Sequence, residues 1–260
     1  INKMNLIIPE WYFLKDEKGK VESRVDEEML EFIHKNKVAV MPLLSNFYQW
    51  NNDSTYLLLK NDVYRKKLID QIKTVVDTND FRGINIDFEN YPQKMIPYLV
   101  KFSKELHEVF HEDGYLTSID MNPGANAALY KELNPYYDLI FLMAYNEHFI
   151  YGEPGCISSL KFVEGELDKA MKEIPSEKVV LCVAGYGYDW PKNGVGKNLT
   201  YQNMISTAKA NDQKVFFNPM GSDISMYYTD DNDVEHEAHC NDAAGIFNLI
   251  RTSSNFNAAG

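Results

Sequence analysis

The chain has 260 residues, of which 45% are hydrophobic and 25% charged, with a net charge of −12; this size and balance fit one large soluble domain. The acidic excess excludes a polyanion such as nucleic acid as partner, because that needs clustered Lys and Arg, whereas a neutral or weakly charged partner stays compatible. Three cysteines, Cys156, Cys182 and Cys240, give neither a disulfide framework nor paired metal-ligand spacing, and no apolar run reaches the roughly 18 residues of a membrane span. Cys182, inside an apolar run, reads as a small buried hydrophobe. The opening Ile1-Asn2-Lys3-Met4 shows no charged leader or cleavage site, so no signal peptide is expected in this segment.

Short β-like runs alternate with amphipathic helical runs. In chain order the pattern predicts a strand at 5–9, a helix at 26–35, a strand at 38–44, a helix at 62–76 and a strand at 83–89. A helix at 94–110, strands at 116–121 and 139–145, a helix at 158–173, a strand at 179–185 and a helix at 201–210 follow. In 94–110, Ile96, Leu99, Val100, Phe102, Leu106 and Phe110 recur at helical spacing, with Pro92 suited to the start and Gly114 just past the end. Strand–helix alternation implies a parallel sheet with crossovers, hence a doubly wound sheet or an eight-stranded barrel. No Gly-rich dinucleotide loop follows the first strand, which argues against the doubly wound option. Polar residues gather at the strand ends: Ser45-Asn46, Asp87 and Glu89, Asn122, and Tyr145-Asn146-Glu147-His148. That is the pattern of a site at the C-terminal rim of a barrel. The stretch 215–242 reads as a hairpin insertion.

The most informative stretch is Gly83-Ile84-Asn85-Ile86-Asp87-Phe88-Glu89. Asn85, Asp87 and Glu89 alternate with apolar residues, so one strand face carries two carboxylates, roughly 6 to 7 Å apart at the backbone. Burying both as ions in a plain core would be costly; a pocket that drives their pKa values apart gives them a chemical task. The competing reading is a satisfied ion-pair cluster at a strand end.

The stretch resembles the signature of glycoside hydrolase family 18, the chitinases and related N-acetylglucosaminidases, written Asp-Gly-x-Asp-x-Asp-x-Glu. Gly83, Asp87 and Glu89 match, Asn85 is a common variant, and Arg82 stands at the residue before Gly83, out of phase with the carboxylate face. Met143-Ala144-Tyr145-Asn146 resembles the family's Met-x-Tyr-Asp on a later strand, and Tyr186-Gly187-Tyr188-Asp189-Trp190 resembles a segment of its peptidoglycan- and spore-cortex-associated branch. The resemblance implies an α/β fold, a (β/α)8 TIM barrel lacking its first and last strands in this chain, acting as a single catalytic domain over 1–260. It also implies hydrolysis of β-linked N-acetylglucosamine glycans at the cell envelope or outside the cell, without a cofactor.

By the same resemblance Glu89 is the acid and base, Asp87 orients the sugar's acetamide, and Tyr145 donates to the acetamide oxygen. Substrate contacts are expected from Asn85, Asn146, Met143, Asn46, Asn122, Tyr186 and Trp190. Two carboxylates on one strand face cannot easily reach opposite faces of a sugar, and substrate assistance by the acetamide resolves this. Trp190 could be a sugar platform or a cap over the barrel wall; Trp11 and Trp50 are weaker candidates. His236, His239, Cys240 and Asp242 raise a metal reading, but in a hairpin the spacing puts His236 and His239 on opposite faces, so no metal is expected. The alternatives to the enzyme are a non-catalytic sugar-binding barrel and a module of a larger cell-wall protein. Retention of Glu89 favours the enzyme.

Overall fold

The computed structural model describes residues 4–46, 52–90 and 92–260. The chain forms two compact units, Ile1–Met121 with Ala125–Phe141, and Asn122–Gly124 with Leu142–Gly260. Trp50 lies outside the described residues.

The first unit contains, in order, β1 (Leu6–Ile7), β2 (Glu10–Leu14), β3 (Val21–Ser23), α1 (Glu27–Lys35), β4 (Ala39–Val40), β5 (Leu43–Ser45), α2 (Asn52–Lys60) and α3 (Asp62–Thr78). Then come β6 (Gly83–Asp87), α4 (Ile96–Glu112), β7 (Leu116–Met121), α5 (Ala127–Leu133) and β8 (Leu139–Met143), whose end runs into the second unit. Strands β2, β5, β6 and β7 lie side by side and parallel, and β3 folds back antiparallel on β2. The expected strands at 5–9 and 38–44 are each interrupted at a proline, Pro9 and Pro42, because proline has no N–H for the ladder. Their carbonyls still serve it: Pro9 O accepts from Leu43 N at 2.8 Å and Pro42 O from Asn85 N at 3.0 Å. Gly83 is required by close approach, since a Cβ there would sit 1.9 Å from the Leu116 carbonyl oxygen.

Helix boundaries follow capping chemistry. Asp26, Asn61, Ser159 and Thr200 accept from Met29 N, Val63 N, Phe162 N and Asn203 N at 2.9, 3.0, 3.2 and 3.1 Å, which satisfies first-turn donors. In α4 the predicted stripe is the buried one, with Leu99, Phe102, Leu106 and Phe110 wholly inaccessible. Arg65 of α3 is also buried and grips the Glu105 carboxylate of α4 through Nε at 2.6 Å and Nη2 at 2.9 Å.

The second unit contains α6 (Leu160–Ala170), β9 (Val179–Cys182), β10 (Gly187–Pro191), β11 (Lys197–Leu199), α7 (Tyr201–Ala210), β12 (Phe216–Asn218), β13 (Asp223–Thr229), β14 (Glu235–Cys240) and α8 (Ala243–Asn255). The expected hairpin at 215–242 is β13–β14, and it belongs to a larger antiparallel sheet in the order β11-β10-β14-β13-β12. One face of that sheet buries Ile224, Met226, Ala238 and Cys240 with Met204 and Ala208 of α7. Cys182 is half-buried rather than buried, because β9 alternates and its side chain follows the more open face. The β2–β3 hairpin and helices α2, α5 and α8 were not expected from the sequence pattern.

Candidate active site

In the first unit the site is built at the end of β6. Asn85 is buried, and its amide bridges two positions of β7: Ser118 Oγ donates to its Oδ1, and its Nδ2 donates to Asp120 Oδ1 at 2.9 Å. The strands pair Asn85 with Ser118 and Ile86 with Ile119, so Asp87 and Asp120 come next on the same face. Asp87 Oδ1 is buried with no hydrogen-bond partner among the described residues. The Asp87 carboxyl is pushed up to about 8, by burial first and then by the charges of Asp120, Glu89 and Glu10. Asp120 is pushed up to about 7 by burial, opposed by the hydrogen bond from Asn85 and aided by the charge of Glu89. Among the described residues every charged group acting on Asp87 is acidic, which is unlike an ordinary ion-pair cluster and typical of sites that use a protonated acid.

Asn46, expected to touch substrate, holds the Glu89 backbone in this unit. Its Nδ2 donates to the Glu89 carbonyl and its Oδ1 accepts from Glu89 N, both at 3.0 Å, and Nδ2 also reaches Thr55 Oγ1 at 3.3 Å. Asn46 therefore clamps the backbone that presents the Glu89 side chain. The next residue, Asn90, turns the chain away with φ of 53°. Arg82 sits exposed before β6 and donates to the Gly114 carbonyl at 3.3 Å; it plays no part in the carboxylate cluster. Asp120 is the residue that sequence reasoning missed. Its signal was present, since Ser118 and Asp120 alternate with Thr117, Ile119 and Met121.

In the second unit the two later motifs meet. Met143 is buried at the end of β8, Tyr145 is half-buried, and Asn146 adopts φ of 59°. The hydroxyls of Tyr186 and Tyr188 both donate to Asn146 Oδ1, at 2.8 and 2.9 Å, so the Tyr-x-Tyr spacing serves one amide. Gly187 between them is required because a Cβ would meet the His239 carbonyl oxygen of β14 at 2.0 Å. Tyr145 packs edge-on against Tyr186 at 6.3 Å between centroids. Asn122 is half-buried just past β7.

Trp190 is corrected by its surroundings: it is 2% exposed in a core cluster with Ile157, Ala184 and Tyr188, and no ring face is left for a sugar to stack on. Trp11, in the first unit, is likewise buried, at 8% exposure. A cavity of about 670 Å³ in the second unit is bordered by Tyr151, Trp190, Tyr227 and Glu237; it holds none of the signature carboxylates.

Potential metal ligands converge once among the described residues, at Cys156, Asp223 and His239, whose ligating atoms lie within 4.8 Å of one another. His236 and His239 do fall on opposite faces of β14, with His236 bound to Asp189 Oδ1 at 2.8 Å and His239 to Asp223 Oδ2 at 2.7 Å. The His239 ring also meets Glu237 Oε1 at 2.9 Å, and Cys156 Sγ donates to Asp223 Oδ1 at 3.3 Å. Burial alone would lower the His239 pKa, but the hydrogen bonds to Asp223 and Glu237 outweigh it and the net shift is upward. The group is thus a network satisfied by its own hydrogen bonds.

A model of the glycosyl hydrolases family 18 matches residues 13–247. The chain belongs to glycosyl hydrolase family 18. Its curated relatives include an uncharacterized glycosylase, YvbX, of Bacillus subtilis (strain 168), 25% identical over 241 residues that cover 86% of this chain and 70% of the relative. They also include the cortical fragment-lytic enzyme of the same organism, 27% identical over 213 residues, 75% of this chain and 49% of the relative. The chain therefore spans from about half to seven-tenths of these relatives' lengths. Among solved structures, a chitinase from Chromobacterium violaceum superposes with a TM-score of 0.90 at 18% identity, covering 98% of this chain and 84% of the other. That likeness shows a TIM-barrel-like α/β fold. Among the described residues no helix is long and apolar enough to cross a membrane.

Proposed function

We propose that this family 18 protein is a retaining glycoside hydrolase of β-linked N-acetylglucosamine glycans in the cell wall, with its catalytic domain spanning the matched residues. The observation that carries this reading is the end of β6: among the described residues a buried Asp87 oxygen has no hydrogen-bond partner and only acidic groups act on its charge, and Glu89 follows two residues on with its backbone clamped by Asn46. A purely structural acid would have been given a cation or a full set of donors. An acid kept uncharged beside a second acid suits a reaction that makes a positive charge there.

The mechanism follows from this placement. Glu89 protonates the glycosidic oxygen, and the bond to the anomeric carbon breaks as the carbonyl oxygen of the sugar's own acetamide attacks that carbon. A positively charged oxazolinium-like ring results. Asp87 accepts from the acetamide N–H, aligns the attacking oxygen, and in its ionised form balances the new charge. Water then enters, gives a proton to Glu89 and opens the ring, so two inversions at one carbon give retention. By the family resemblance Tyr145 donates to the acetamide oxygen. In the empty site Asp87 holds a proton near neutrality, so its ionised form is drawn out by the positive intermediate.

The cell-wall substrate is supported by the name of the cortical fragment-lytic relative, and the same name supports a site of action at the cell envelope or outside the cell. The test is incubation with a panel of chitin-type, peptidoglycan-type and N-glycan-core oligosaccharides, with products read by mass spectrometry and the first anomer by proton NMR. Cleavage confined to N-acetylglucosamine-containing glycans with the β anomer appearing first is expected. Equal cleavage of glucose polymers, or the α anomer first, overturns the mechanism.

A further inference from the structure

The proposed mechanism leaves one proton unaccounted for. Asp87 holds it in the empty site and must give it up when the oxazolinium forms, and Glu89 cannot take it because Glu89 is donating its own proton at that moment. The neighbouring elements offer few destinations. From β2 comes Glu10, the weakest of the charges acting on Asp87. From β5 come Ser45 and Asn46, which do not titrate, and Asn46 is occupied with the Glu89 backbone. From β7 comes Asp120, which acts on Asp87 more strongly than any other charged group.

Asp120 is held in place by the β6–β7 pairing. Asn85 Nδ2 donates to its Oδ1 at 2.9 Å, while Ser118 Oγ donates to Asn85 Oδ1 and fixes which way that amide faces. The hydroxyl can do this only because Asn85 stands opposite Ser118 in the β6–β7 register. An amide at position 85 can donate to a carboxylate in either protonation state of that acid, so the hold on Asp120 survives a proton arriving on its other oxygen.

We propose that Asp120 is a positioning residue for the hydrolysis: it receives the proton that Asp87 releases as the sugar's positive charge develops, and Asn85 and Ser118 hold it for that exchange. One O–H bond breaks on Asp87, one forms on Asp120, and the charge of the pair is unchanged. The pair keeps one proton and one negative charge throughout, and the substrate decides which carboxyl carries the charge. When water opens the ring the positive charge disappears and the proton returns. This inference rests on the substrate-assisted reading above, so its test includes a measurement that needs no substrate.

In protein labelled with carbon-13 at aspartate, the Asp87 and Asp120 carboxyl carbons are followed against pH. Shared protonation makes each carbon report both steps of the coupled titration; two independent single-step curves overturn the proposal, whatever the enzyme does with glycans. In Asp120→Asn the Asp87 midpoint falls by about one pH unit or more, because a like charge has gone. The same substitution lowers kcat by about tenfold or more with KM nearly unchanged, as expected for an interaction made only in the transition state, and it shifts the kcat–pH limb with the Asp87 midpoint.

Asn85→Asp/Asp120→Asn exchanges the two ends of one hydrogen bond and conserves the charge of the cluster, so it recovers kcat to within about threefold of wild type. If the double variant melts with wild-type cooperativity and stays as slow as Asp120→Asn, or if the Asp120→Asn pH limb does not move, Asp120 has no part in the proton's path. Coupled carboxyl titrations in a wild-type protein that cleaves no glycan would instead overturn the substrate reading.

Discussion

The two units each contain a buried knot of acids, and they are built on opposite rules. In the first unit Asp87 faces the charges of Asp120, Glu89 and Glu10, and Asp120 that of Glu89; Asn85 donates to Asp120, and among the described residues nothing donates to Asp87 Oδ1. In the second, Asp223 is fully buried yet receives His239 and Cys156, while Glu237 receives the other His239 nitrogen and the Tyr227 hydroxyl at 3.2 Å. Asp223 is the more deeply buried, yet it is the satisfied one. An acid cluster given a histidine between its members is a brace, and one left without a cation is an acid waiting for a positively charged partner.

The sharpest way to break this comparison is at Glu89. Glu89→Gln keeps the size and hydrogen-bonding shape but removes the transferable proton, and hydrolysis should fall by about 10³-fold or more. The melting temperature should stay within about 2 °C. Wild-type rates on natural glycans would end the assignment.

Next comes Asp87→Asn, expected to slow the chemical step by about 10²-fold or more while stabilising the fold. The sign follows from the raised carboxyl: between about pH 4 and about pH 8 the unfolded chain has lost a proton that the folded chain retains, so this group's contribution to stability declines as pH rises through that window. A melting-temperature gain of a few degrees at about pH 8, vanishing toward about pH 4, is the expected record. A stability loss at every pH would place Asp87 among the braces.

His239→Gln should give the reverse pattern. A raised histidine stabilises fully below its unfolded pKa of about 6.5 and loses that contribution as pH rises through the folded value. The variant should therefore be destabilised most at about pH 5.5, by on the order of 1–2 kcal/mol, and least at about pH 9. Thermal melts across that range decide it; a gap that widens with pH would mean His239 is buried neutral. Smallest of all is Arg82→Ala. Its side chain is exposed and donates to the Gly114 carbonyl, away from the carboxylates, so kcat/KM should remain within about twofold, and a larger loss would reopen the first position of the signature.

Much of this was legible in the chain because it is local. Period-two alternation in 83–89 put Asn85, Asp87 and Glu89 on one face whatever surrounded them, and the stripe of α4 and the caps Asp26 and Asn61 needed only their own neighbours in sequence. Tertiary structure decided what depends on register between distant segments. It set Asp120 beside Asn85, thirty-five positions away, and gave Asn46 the Glu89 backbone, forty-three positions away. It also gave His239 the carboxylate of Asp223 on β13, where the sequence had offered His236 and Cys240 as companions. Trp190 is the clearest case, because the same indole can floor a sugar site or fill a core. Only the approach of Tyr188, His239 and the Gly196 backbone, which lies so near that a Cβ there would be 2.8 Å from the ring, made it core. A sequence states which way a side chain points along its own strand; what stands opposite it is fixed by the pairing of strands, and that pairing is where the acids of the two units acquire their different chemistry.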